Sequence, residues 1–202
     1  MGYNKDKWAK RTRNRSDLSL YLTHLTKDSN DSSTLDRLIK ILEERTIIGS
    51  SKTGFIVGEN SAVCFQDSPL YAISQNVYHE VNYRKENGGG KKRYTAFGLA
   101  FEKTHIYRNG GRPCIYEKTE IAKKMLPEDE LWRIVSFDLS NDQDIIDWSH
   151  EREWRIKGDF SFTYDRATVL LPHDNWYRKF IERVRPEILK ELAGVVVLSK
   201  LL

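Results

Sequence analysis

The chain has 202 residues, 39% of them apolar and 11% aromatic, and its 33 Lys and Arg against 29 Asp and Glu leave a net charge of only +4. That length holds one domain with a sizeable core, and the composition is too apolar for a disordered chain. The longest aliphatic run, Val-Val-Val-Leu at 195–198, is too short to span a bilayer, so a soluble protein without membrane association is expected.

Residues 1–15 set Lys5, Lys7, Lys10, Arg11, Arg13 and Arg15 against a single Asp6, a +5 arm joined to a body that sums to −1. Such an arm lies along phosphates or forms a solvated, frayed terminus, and Lys7, Lys10, Arg11 and Arg13 are its candidate nucleic-acid contacts. No apolar leader stretch follows Met1, which points to the cytoplasm. Leu18, Leu20, Leu22, His24 and Thr26 alternate as on one side of a strand. Ser33 is placed to cap a helix over 34–45 with Leu35, Leu38, Ile39 and Leu42 as its apolar stripe. Short strands are expected at 54–57 and 62–65, then a helix opening at Ser68-Pro69 with Leu70, Ile73, Val77 and Val81 on one face.

Gly88-Gly89-Gly90 reads as a flexible loop whose exit carries Lys91, Lys92 and Arg93, a second candidate phosphate-binding cluster. Strands follow at 94–102, 113–117, 132–137, 151–157, 160–164 and 167–171, with Asn109-Gly110-Gly111 as a hairpin turn. A late helix carries Trp176, Phe180 and Val184. Pro186 kinks it or starts another, which Gly194 ends before a final buried strand at 195–199. Helices early, strands late and short links predict an α+β fold.

Two cysteines, Cys64 and Cys114, and five scattered histidines have no metal-ligand spacing, and the acidic stretch Asp138, Asp142, Asp144, Asp147 lacks the glycine and terminal Glu of a calcium loop. No metal is therefore expected. The chemistry concentrates at Glu151-Arg152-Glu153-Trp154-Arg155-Ile156. In a strand, Trp154 and Ile156 would enter the core while Glu151, Glu153 and Arg155 share the opposite face. Paired carboxylates beside a cation suit a reaction that develops positive charge on a sugar; the alternative is an exposed Glu/Arg ladder.

Three segments in order carry a family likeness: Tyr-Leu-Thr-His24-Leu-Thr26, then Phe65-Gln-Asp67-Ser68-Pro69-Leu70-Tyr71, then Glu151-Arg-Glu153 late in the chain. Over about residues 20–157 this resembles the DarT-like ADP-ribosyltransferases of bacterial toxin–antitoxin and phage-defence systems. The resemblance implies an ADP-ribosyltransferase domain over 16–202, with split mixed sheets and a C-terminal helix, behind the basic arm 1–15. It implies NAD as substrate, His24 and Thr26 as NAD contacts, Phe65, Ser68 and Tyr71 around nicotinamide, Glu153 as the catalytic carboxylate, and Glu151 orienting the acceptor.

The chain departs from that family where an Arg precedes the Ser-Pro step: Asp67 stands there, and Arg155, Arg93 and Arg45 are candidate replacements, Arg155 being placed with the NAD-binding set. The implied acceptor is a base in DNA or RNA, with a protein acceptor as the alternative given a net charge of only +4, and the implied partner is an antitoxin or inhibitory protein. The alternatives are a non-enzymatic nucleic-acid-binding or antitoxin-type module and an NAD glycohydrolase with water as acceptor. A metal-dependent nuclease lacks its carboxylate-plus-lysine constellation.

Overall fold

A computed structural model of the chain describes residues 2–26, 31–51, 55–86 and 95–201, with Asp31 in its backbone alone. In chain order its elements are α1 (Lys5–Arg13), β1 (Tyr21–Leu25), α2 (Asp31–Glu44), β2 (Thr46–Ile47), β3 (Ala62–Gln66), α3 (Leu70–Glu86), β4 (Gly98–Glu102), α4 (Lys103–Arg108), β5 (Arg112–Pro113) and β6 (Ile115–Glu117). There follow α5 (Thr119–Met125), β7 (Ile134–Ser136), β8 (Glu153–Lys157), β9 (Phe160–Ser161), β10 (Thr168–Leu171), α6 (Asp174–Arg183), α7 (Pro186–Glu191) and β11 (Gly194–Val197). Short 3-10 segments lie at Glu128–Arg133, Ser149–Glu151, Tyr164–Arg166 and Leu198–Leu201.

The fold is α+β, and the chain forms two compact units. The first takes Met1–Arg45, Ser68–Glu102 and Phe162–Leu202; the second takes Thr46–Asp67 and Lys103–Ser161. The basic segment expected as an arm clusters with the first unit. It is also not frayed: residues 5–13 form α1, which Asn4 caps by accepting the Lys7 N–H at 2.9 Å. Within α1, Thr12 is buried and Trp8 and Ala9 are half-buried.

In the first unit four strands run in the order β11-β10-β4-β1, with β10 and β11 parallel and the other pairs antiparallel. Gly98 to Phe101 are buried at every position, so β4 reads as a continuous apolar run rather than an alternation, as a strand covered on both faces must. On one face Ala100, Leu170 and Val196 pack with Leu25 against Leu70, Ile73 and Val77 of α3 and against Leu198. The predicted stripe of α2 is buried throughout, but the helix starts at Asp31, so Ser33 lies in its first turn instead of capping it. Asp and Ser are equally at home in a first turn and at a cap, and a run of them leaves the boundary undetermined.

The second unit holds the antiparallel order β3-β8-β5, with separate two-stranded pairs β2–β9 and β6–β7. Several expected strands are shorter than the pattern implied. Trp132 belongs to the 3-10 segment after Pro127, and only residues 134–136 are strand. Residues 55–57 are not strand, and Gly54 lies outside the described residues. Asn109-Gly110-Gly111 is not a hairpin turn: it closes α4, with Gly110 at φ +89° and the Gly111 N–H on the Ile106 carbonyl at 2.9 Å. Pro186 opens α7 as its first residue, whereas Gly194 begins β11 rather than ending a helix.

Candidate active site

The local geometry at 149–157 corrects the expected strand. Ser149–Glu151 form a 3-10 turn, and Arg152 takes the left-handed conformation at φ +45°, so β8 begins only at Glu153. The break removes Glu151 from the alternation that would have put it on the face of Glu153 and Arg155. Glu151 is half-buried on the turn, where its carbonyl accepts the Asp67 N–H at 3.2 Å.

Glu153 and Arg155 share a face, but that face is interior. Relative exposure is 8% for Glu153 and 2% for Arg155, so neither belongs to a solvated charge ladder. The guanidinium is a clamp. Its Nε donates to Glu153 Oε1 at 2.8 Å and its Nη2 to Oε2 at 3.2 Å, while Nη1 donates to the carbonyls of Trp132 at 2.7 Å and Ile134 at 2.9 Å. Burial is the largest single influence on Arg155 and lowers its pKa, yet the charges of Glu153, Cys114 and Cys64 and the hydrogen bond to Glu153 together outweigh it, so the net shift is upward. Four of the five guanidinium N–H donors of Arg155 thus go to protein groups, and the side chain, expected among the NAD contacts, lies in the interior.

Three further groups that spacing did not reveal surround this pair. Cys64 lies opposite Arg155 in the β3–β8 register, and the Cys114 N–H donates to the Glu153 carbonyl at 2.8 Å. Burial, reinforced by the Glu153 charge, pushes both thiols well up. The Tyr116 hydroxyl accepts the Glu153 N–H, and burial pushes that phenol up as well. The pairing that brings Cys64 and Cys114 to either side of β8 depends on strand order, which no local pattern encodes.

Phe65, expected around nicotinamide, and Glu153 project to opposite faces of the β3–β8 pair. In the register Phe65 pairs with Trp154 and Gln66 with Glu153, so the Phe65 ring projects to the side opposite the carboxylate. It is 1% exposed and meets Phe160 edge-to-face at 5.8 Å, the position of a core aromatic. Asp67, at the departure from the family pattern, forms an ion pair with Lys103 at 2.7 Å.

In the first unit His24 pairs with Leu99 and shares the face of Leu22 and Phe101, while α3 covers the other face through Leu25 and Ala100. His24 is half-buried. Thr26 directs both its N–H and its hydroxyl to the Phe97 carbonyl, at 2.9 and 3.2 Å. Ser68 is buried at the entry to α3, and Tyr71, more exposed, donates its hydroxyl to the Ser16 carbonyl at 2.8 Å. Arg45 stacks on Tyr164 with its guanidinium 6.0 Å from the ring centre.

The basic residues of α1 make a defined surface. Trp8, Ala9 and Thr12 occupy the inward arc at helical spacing, which leaves Lys7, Lys10 and Arg11 on the outward one and Arg13 beside it, all exposed. Arg11 donates to the Tyr3 hydroxyl at 2.6 Å and lies over that ring. Lys91, Lys92 and Arg93 lie outside the described residues. Among the described residues no three His, Cys, Asp or Glu are arranged to hold a metal ion, and no helix is long and apolar enough to cross a membrane. No protein family, curated protein or solved structure matches the chain.

Proposed function

We propose that the chain is an NAD-dependent ADP-ribosyltransferase that modifies a nucleic-acid base as a toxin or defence effector, with Glu153 as its catalytic carboxylate. The observation that carries this reading is the clamped, desolvated carboxylate at the start of β8, held in one orientation by Arg155 at 2.8 and 3.2 Å. A fixed anion in a poorly solvated site is the group an oxocarbenium-forming reaction requires, because it stabilises developing positive charge without reorganising.

In the proposed step the bond between the nicotinamide nitrogen and ribose C1 breaks, and its electron pair leaves with nicotinamide. Glu153 stabilises the resulting cation, and a nucleophilic nitrogen of the base supplies the new bond and releases its proton to solvent. The outward side of α1 supports a polyanionic acceptor, since Lys7, Lys10, Arg11 and Arg13, all exposed, attract phosphates irrespective of sequence. The same side favours the second reading, a non-enzymatic nucleic-acid-binding module, in which Glu153 and Arg155 are a structural pair.

Incubation with NAD and single- or double-stranded DNA or RNA, followed by nicotinamide quantification and mass spectrometry of the nucleic acid, separates these readings. Transfer predicts nicotinamide release and ADP-ribose on the nucleic acid. Release with neither nucleic acid nor protein modified identifies the NAD glycohydrolase, and binding without release identifies the module. The roles implied for His24, Ser68 and Tyr71 are tested one at a time by alanine substitution against KM for NAD.

A further inference from the structure

We infer that Arg155 is the positioning residue for Glu153 and that, through it, the segment Glu128–Ile134 governs the orientation of the reacting carboxylate. This inference rests on the transferase reading. Its basis is the division of one guanidinium between two tasks. The edge formed by Nε and Nη2 faces the two oxygens of Glu153, and Nη1 is anchored to two backbone carbonyls, Trp132 at 2.7 Å and Ile134 at 2.9 Å. These carbonyls flank the junction between the 3-10 segment Glu128–Arg133 and β7.

The arrangement is rigid for identifiable reasons. Arg155 sits in the interior of β8, paired with Cys64 on one side and Arg112 on the other, so its backbone is fixed by both neighbours. Arg112 turns its own guanidinium away, onto the Tyr107 ring at 4.3 Å and the Tyr107 carbonyl at 3.0 Å, which removes a like charge from the Glu153 side. Trp132 is 3% exposed and packs with Ile56, Ala62 and Cys64, so the carbonyl that holds Nη1 belongs to a packed element and not to a loose loop. A planar fork with several donors is needed to bind a carboxylate and two carbonyls together; a lysine ammonium in this place reaches one or the other. The Glu153 N–H goes to Tyr116, which fixes the backbone, and Arg155 holds both carboxylate oxygens.

The test compares wild type, Arg155→Lys and Arg155→Ala in steady-state nicotinamide release, with thermal unfolding followed for each. Loss of the fork is expected to lower kcat by roughly 10- to 100-fold while KM for NAD changes less than about two-fold, because the carboxylate is displaced and the substrate contacts are not. Guanidinium at tens of millimolar is expected to restore kcat of Arg155→Ala, with urea as the control that leaves it low. Arg155→Lys, which keeps the charge, serves if the alanine variant does not fold. Wild-type kcat in Arg155→Lys, or a parallel fall in kcat that guanidinium does not reverse in a folded Arg155→Ala, overturns the inference alone. Absence of nicotinamide release from the wild type overturns the transferase reading and this inference with it.

Discussion

At residue scale, burial acts on the groups beside Glu153 in a way that pH reveals. Cys64, Cys114 and Tyr116 all hold their protons more tightly folded than unfolded. The unfolded chain therefore loses protons first as pH rises, so the contribution of these groups to stability is constant below the thiols' ordinary pKa and declines above it, from about pH 8.5 upward. Unfolding in urea at pH 7, 9 and 10 is predicted to show that decline, and a double Cys64→Ser, Cys114→Ser variant that still folds loses stability less steeply. For the same reason both thiols are predicted to react with a maleimide far more slowly at pH 7.5 in the native protein than in urea. Asp138 shows the opposite sign: the Ser140 hydroxyl and then its N–H, with Lys118, draw it down to about 2. Its contribution is present above the ordinary carboxylate range and fades as pH falls toward that value. In Ser140→Ala, carboxyl titration by NMR should place Asp138 measurably higher.

At the scale of elements, α1 owes its start to one side chain. Asn4→Ala removes the acceptor of the Lys7 N–H and is predicted to destabilise that helix by about 1 kcal/mol, read as faster amide exchange over 5–13. Replacing Lys7, Lys10, Arg11 and Arg13 together by alanine should leave unfolding nearly unchanged while lowering the salt slope of nucleic-acid binding by up to about 3 to 4. An unchanged slope would mean that α1 is not the phosphate contact. At Gly98 an added Cβ would run into the His24 carbonyl oxygen across the β1–β4 pair, so Gly98→Ala should disturb β1 even though alanine is small.

Elements whose cues are local were legible in the sequence. The α2 stripe, the Pro186 helix start and the strands around 22, 63 and 169 follow from periodicity and from proline's fixed φ. Glu153 was legible as a strand carboxylate, but its partner geometry was not. The left-handed Arg152 reverses the expected pattern at a residue with no glycine to announce it, and the Phe65 face depends on a pairing with Trp154 that lies 89 positions away. Basic composition marks 1–15 as a charged segment but gives no sign that one Asn cap and three inward residues make 5–13 a helix.

At the scale of the whole molecule, neither unit is a contiguous piece of chain. The first unit's strand order β11-β10-β4-β1 draws on residues 21–25 and 194–197, so both ends of the chain are needed to complete it. Deleting 162–202 would strip β10 and β11 from β4 and expose Leu99 and its neighbours along an unpaired edge. That truncation is predicted to yield aggregated protein in size-exclusion chromatography, whereas a unit able to fold alone would elute as a monomer.

Glu153 carries the proposed chemistry. The most direct measurement is nicotinamide release from NAD, with nucleic acid present, by wild type and by Glu153→Gln of matched thermal stability. Release by the wild type, ADP-ribose on the nucleic acid, and a fall of at least about 10²-fold in the variant are expected. No release by the wild type, or equal release by both, would contradict that chemistry.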